Sequence, residues 1–132
     1  MCSGIGIELK IRVSSIVFPP SSASLTGNTA EIDIRNGQVL DRIATVLQRF
    51  PEYRIRVEGH AVNLSGTERE ERTELEPLSL SRARSVLLAL SARGVPSARL
   101  EARGLGGREP IVPHGDEVSR WRNRRVEFIL VR

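Results

Sequence analysis

A chain of 132 residues, 39% of them hydrophobic, carries enough apolar material for one core, and no apolar run in it approaches the length of a membrane span. The net charge of +4 raises the question of a polyanionic partner, but acidic and basic residues are interleaved and aromatics make up only 4%. With no recognition helix and no zinc pattern, nucleic acid is not the expected partner. The single cysteine, Cys2, excludes an internal disulfide and follows Met1 directly, so it reads as part of a disordered end, with any targeting signal lying outside this chain.

Taken in order, Ile5, Ile7, Leu9, Ile11 and Val13 alternate with Gly6, Glu8, Lys10 and Arg12, which predicts a strand with one wet face. Ser14 and Ser15 interrupt the alternation before Ile16 and Phe18, so a bulge or second short strand is expected, ended by Pro19 and Pro20. Residues 21–37, rich in Ser, Thr, Gly and Asn, read as a loop to which Ile32 and Ile34 could add a short extended piece. Val39, Ile43, Val46, Leu47 and Phe50 then recur at three and four residues, which predicts an amphipathic helix over residues 38–50, stopped by Pro51.

Ile55 and Val57 alternate with Arg54, Arg56 and Glu58 in a half-buried strand ending at Gly59. The connector TEREERTELEP, residues 67–77, reads as a solvated loop or frayed helix. Pro77 and Ser79 precede an apolar stripe of Ala83, Val86, Leu87 and Leu90, so a second helix is expected with Ser79 capping its first turn. Arg82 lies one turn inside, and bare amides, a positive helix end and a guanidinium together would dock a carboxylate. That helix ends near Arg93, with Gly94 and Pro96 beyond.

Leu100 and Ala102 alternate with Glu101 and Arg103 in a third strand, closed by glycines at 104, 106 and 107. Pro110 and Pro113 follow, so these glycines predict a tight turn and not a phosphate-cradling loop. A short helix is expected over residues 116–123 and a last strand over 125–131, with Val126, Phe128 and Leu130 on one face. The order is β-α-β-α-β-(α)-β: an α+β sandwich with two main helices packed on one face of a mixed sheet.

Four blocks carry a family resemblance: IVFPPSSASL (residues 16–25), LDRIATVLQRFPEYRIRVEGHA (40–61), LSLSRARSVLLALSARGVPSARLEARGLGGREPIV (78–112) and SRWRNRRVEF (119–128). Within them GHA, LSxxRAxSV, the GxG after the third strand and NRRVEF keep order and spacing. The chain resembles the OmpA-like C-terminal domain, the peptidoglycan-associating module of peptidoglycan-associated lipoproteins and flagellar motor stators. The resemblance implies a domain over residues 16–132, preceded by a lead-in over 1–15 and interrupted by an acidic insertion near 66–77. It also implies a periplasmic or envelope setting, within an exported or outer-membrane-associated protein. The implied partners are the peptidoglycan stem peptide and other envelope proteins or domains.

In the family, a pocket takes the diamino acid of the stem peptide with an Asp just after a GHT block and the Arg of LSxxRA. One acid and one base can read an ammonium and a carboxylate together. Arg82 stands at the arginine's position. The family pattern GHTD is Gly59, His60, Ala61 and Val62 here, and the Asn usual three residues before the LS block is Leu75. The candidate binding set is therefore Arg82, Val62, Ala61, Asn63, Leu75, Asn123 and Arg124.

A hydrogen bond to a charged group contributes about 1.5 to 3 kcal/mol, so losing the acid weakens capture by roughly ten- to over a hundredfold. The reading favoured at this level is a degenerate pocket in a mainly structural domain. The alternative is a functional module in which Glu68, Glu70, Glu71, Glu74 or Glu76 of the connector supplies the missing charge.

The other notable residues have plain readings. His60 reads as a structural residue closing a strand, and His114 is too solitary to argue for a metal. Trp121 beside Arg120, Arg122, Arg124 and Arg125 could make a cation-π surface for glycan, but it is expected instead to pack under the domain, while the arginines pair with the acidic connector or with Glu127. Arg125 is expected to point away from the site. No nucleophile, base or ligand cluster at motif spacing calls for an enzyme or a cofactor.

Overall fold

The computed structural model describes residues 8–13, 16, 18 and 30–132. The bulge expected at Ser14 and Ser15 and the breaks at Pro19 and Pro20 lie outside the described residues, as does the first half of the expected 21–37 loop.

Four strands, β1 (Glu8–Val13), β2 (Arg54–Gly59), β3 (Leu100–Gly104) and β4 (Val126–Val131), form one mixed sheet in the order β1-β4-β2-β3. β4 runs antiparallel to both β1 and β2, and β2 pairs parallel with β3. A parallel pair needs a long crossover, and here the connection is helical. The main helices are α1 (Ala30–Arg49) and α3 (Glu76–Ala92).

The strands' period of two and the helices' period of 3.6 meet in one core. Ile55 and Val57 of β2 and Val126, Phe128 and Leu130 of β4 face Leu40, Ala44 and Leu47 of α1 and Ala83, Val86 and Leu90 of α3. Both helices therefore lie on one face of a mixed sheet, the α+β sandwich expected from the sequence.

Two boundaries differ from the sequence reading. α1 begins at Ala30, eight positions before the expected residue 38, so Ile32 and Ile34 are helical. Asn36 and Gly37 look like breakers locally, but Asn36 is buried, and Glu31 and Asp33 in the first turn suit the positive end of a helix.

The second difference is larger. The acidic connector is not a loop. It is helical from Glu68 onward, as a short α2 (Glu68–Glu70), a π turn (Glu71–Leu75) and then α3 without a break. Thr67 caps it by accepting a hydrogen bond from the Glu70 amide at 3.2 Å, the T-x-x-E start signal. The wider π turn lies just before Pro77, whose missing N–H would otherwise break the α-helical ladder.

On the other face of the sheet, Glu58 and Glu127 stand opposite one another in the β2–β4 register, and both are buried. The sequence reading had put Glu58 on the wet side, because alternation reports which side a residue faces and not whether that side is covered. Arg56 donates to Glu58 at 2.8 Å, Arg125 donates to Glu127 at 2.7 Å, and Lys10 lies 3.1 Å from the second Glu127 oxygen.

Candidate ligand-binding site

The end of β2 lies so close to α3 that no side chain fits at Gly59, whose missing Cβ would run into the Ser79 carbonyl. The chain then leaves the sheet through His60 and Ala61. The His60 amide donates to the Arg125 carbonyl at 2.9 Å, and the Ala61 amide donates to the Gly106 carbonyl at 2.8 Å. The Gly106 amide in turn donates to Ser79 Oγ at 2.9 Å. The blocks GHA, GLGG, NRR and the start of LSxxRA, distant in sequence, are thus laced together by backbone contacts.

Glu71 anchors the connector to this junction. It is 4% exposed, and its carboxylate accepts from Asn63 Nδ2 at 2.8 Å and from the Gly107 amide at 2.9 Å. Gly106, at φ 59°, lies against the same carboxylate where a Cβ would collide with it. Arg108 closes the junction from outside, bonding Glu68 at 2.5 Å and also Glu76.

With Glu71 turned inward to the junction, Glu70 and Glu74 line a cavity of about 600 Å³. Ala61, Val62 and Leu64 line it from the exit of β2, Leu75, Leu78 and Arg82 from the helical run, and Arg120 and Arg124 from a 3-10 turn (Arg120–Asn123) and its cap. Carboxylates and guanidiniums therefore share one cavity with an apolar floor between them. Among the described residues, no ion pair closes on Glu74, Arg120 or Arg124.

Arg82 is 1% exposed, and its guanidinium carbon lies 5.4 Å from the centre of the Phe18 ring. Burial, and then the nearby Arg124 charge, push its pKa down to about 10. It stays a cation at neutral pH, and an incoming anion would relieve both effects. The helix-start site inferred for it does not exist. Because the helical run begins at Glu68, residues 79–82 lie inside a helix with no bare amides, and Ser79 Oγ donates to the Glu76 carbonyl instead of capping.

Of the candidates read from the sequence, Arg82, Val62, Ala61, Leu75 and Arg124 line the cavity, while Asn63 and Asn123 do not. Asn63 ties Glu71 to the 63–67 turn, its Oδ1 accepting from the Gly66 amide at 2.8 Å. Asn123, fully buried, accepts from the amides of Ile111 and Val112 at 2.9 and 3.1 Å and donates to the Val112 carbonyl at 2.9 Å. His114 belongs to the same clasp, 2.8 Å from the Gly107 carbonyl and 3.0 Å from Asn123 Nδ2.

Sequence reasoning named Arg120 only among the arginines beside Trp121 and not in the binding set, and it listed Glu70 and Glu74 only among five connector acids. Their spacing of four on one helix face was the available signal, and it was hidden by reading the connector as a loop. Trp121 is a further correction: it does not pack under the domain but is 48% exposed, with the Arg122 guanidinium 5.7 Å from its ring. Arg125 does point away from the cavity, toward Glu127.

Glu58, His60 and Glu127 offer ligand atoms within 4.8 Å of one another. Arg56, Arg125 and Lys10 already match the two carboxylates, which is the arrangement of a structural ion network and not of an open ligand set.

Comparison with known proteins agrees with this architecture. The outer-membrane lipoprotein YfiB of Pseudomonas aeruginosa is 34% identical over 128 residues, covering 95% of this chain and 71% of its own length. The peptidoglycan-binding protein ArfA of Mycobacterium tuberculosis is also 34% identical, over 97% of this chain and 37% of its own length. The chain thus spans between 37% and 71% of the length of these curated relatives. A crystal structure of a MotB-like protein from Desulfovibrio vulgaris superposes with a TM-score of 0.74 at 28% identity, covering 93% of this chain and 72% of that one. The model of the OmpA family matches residues 18–124, so the laced junction, the mixed sheet and the cavity beside it are those of a chain that belongs to the OmpA family.

Proposed function

We propose that this domain binds the peptide stems of peptidoglycan noncovalently and so holds the protein that carries it to the wall in the bacterial cell envelope. The observation that carries the reading is the presence of Glu70 and Glu74 in the same cavity as Arg82 and Arg124. A diamino acid presents an ammonium and a carboxylate joined by methylenes. Its carboxylate meets the two guanidiniums, its ammonium meets the connector acids, and its methylenes lie over Val62 and Leu75. In this reading the acid absent at Val62 has been replaced from the helix and not simply lost. The naming of ArfA as a peptidoglycan-binding protein and of YfiB as an outer-membrane lipoprotein supports the ligand and the envelope setting. The role is binding, and no residue is assigned a catalytic part.

Sedimentation with purified cell-wall sacculi tests this. The wild-type domain co-sediments, and Arg82→Ala and Glu74→Gln each weaken binding about tenfold, the loss of one hydrogen bond to a charged group. A wild-type domain that stays in the supernatant and is rescued by Val62→Asp would instead mark a lapsed pocket and a structural domain. Binding untouched by Arg82→Ala would remove the ligand from this cavity.

A further inference from the structure

Trp121 is the chain's one tryptophan, and nothing in the cavity reading accounts for its position. Single exposed apolar residues are ordinary, but three observations separate this one from that background. Its turn is built firmly: the Arg120 amide donates to the Asp116 carbonyl at 2.8 Å, Arg122 to Ser119 at 3.0 Å, and Arg124 to Trp121 at 3.1 Å. The Asp116 carboxylate also accepts from the Val118 and Ser119 amides at 3.0 and 3.3 Å. The indole is therefore carried outward by the backbone, with Arg122 stacked against it at 5.7 Å.

Next, the residues that bracket it in sequence, Arg120 and Arg124, line the cavity, so the turn that carries the ring borders the cavity. Last, Val118 of the same turn is 84% exposed, and Leu64, which lines the cavity, is 64% exposed. A flat, exposed aromatic face with Arg122 against it, on a turn whose Arg120 and Arg124 line the cavity, suits a ligand with one apolar face and a polar edge.

A pyranose ring has that form. Its C–H face is attracted by the negative face of the indole, and its hydroxyl and acetamido oxygens accept hydrogen bonds from guanidiniums, which only donate. We propose that Trp121, with Arg120, Arg122 and Arg124, forms a second subsite that takes the amino-sugar strand of the wall polymer. The identity of the occupant rests on the stem-peptide reading of the cavity. A few extended residues span roughly 10 Å, so a stem seated in the cavity delivers the sugar from which it branches to the rim. Two linked contacts would then raise the affinity for intact wall above that for either part.

Because the tryptophan is single, its emission reports the subsite directly. The probes are peptide-free glycan strands released from sacculi by an amidase, a free stem peptide containing a diamino acid, and vesicles of anionic phospholipid. Glycan strands should cut acrylamide quenching of Trp121 roughly twofold, as covering its open face requires. Trp121→Ala should lower affinity for sacculi about tenfold through loss of the linked contact, leave free stem-peptide binding unchanged, and be largely rescued by Trp121→Phe. Unchanged quenching with glycan overturns the subsite, as does a response to vesicles in its place. If glycan protects Trp121 while the stem peptide does not bind, the subsite stands and the cavity reading falls. If the peptide binds and glycan leaves the emission untouched, the cavity reading stands and the subsite falls.

Discussion

The Gly107 amide donates to both oxygens of the Glu71 carboxylate, at 3.1 and 2.9 Å, and so joins the loop after β3 to the helical connector. Glu71 is buried, and its partners come from two separate stretches of chain, Asn63 on one side and Gly107 and Arg108 on the other. Truncating it leaves donors without an acceptor in a closed site. Glu71→Ala should therefore lower the free energy of unfolding by about 2 to 4 kcal/mol, measured by urea denaturation. Glu68, whose side chain is 59% exposed, also bonds Arg108, but Glu68→Ala should cost less than about 1 kcal/mol.

Glu74 should behave in the opposite way. It is exposed, lines the cavity and has no ion-pair partner among the described residues. Glu74→Gln should leave stability within about 0.5 kcal/mol of wild type while weakening stem-peptide binding about tenfold, read by calorimetry. Adding Val62→Asp to Glu74→Gln should restore much of the loss. Independent, additive effects of the two changes would show that they do not serve one ammonium.

The lowered pKa of Arg82 has a definite sign in pH. Its folded value is pushed down to about 10 from the ordinary guanidinium range, so the folded state resists the charge. Below about 10 both states are protonated, and the cost of burial is constant. As pH rises above about 10 toward the ordinary guanidinium value the unfolded chain holds more protons, so this group's contribution to stability improves there. Capture of a carboxylate ligand that lacks an amine should thus be flat between about pH 6 and 9 and fade above about 10. A titration by calorimetry checks it, and Arg82→Met should bind weakly at every pH.

Gly59 marks the closest approach of sheet and helix. A side chain there meets the backbone of α3, which cannot give way as a flexible side chain would. Gly59→Ala should destabilise the domain by more than about 3 kcal/mol or prevent folding. Gly115, with nothing within 4 Å of its missing Cβ, should accept alanine with little effect. Thermal unfolding of the two variants separates them.

The apolar periodicity of Ile55 and Val57, of Val126, Phe128 and Leu130, and of Ala83, Val86 and Leu90 made the sandwich legible in the sequence, because those patterns answer directly to burial. Arg82 was legible from its motif. The connector was not, since its charge pattern speaks for solvent while Glu71 takes its role from Gly107 and Asn63, groups distant in sequence that only the fold brings near. The helix-start site at Ser79 failed for a local reason: locating a helix end from Pro77 overlooked a π turn able to carry the helix past a proline. The outward setting of Trp121 depends on turn hydrogen bonds to Asp116 and Ser119 that leave no periodic trace.

The facing carboxylates of Glu58 and Glu127 also proofread how the sheet is assembled. Moving β4 by a single residue would turn every one of its side chains over. Phe128 would arrive beside Lys10 and Arg56, and a charged Glu127 would be thrust into the hydrocarbon beneath α1 and α3. A misaligned pairing of β4 with its neighbours is thereby penalised on both surfaces at once, and the strand that carries the NRR segment to the cavity can settle in one alignment only.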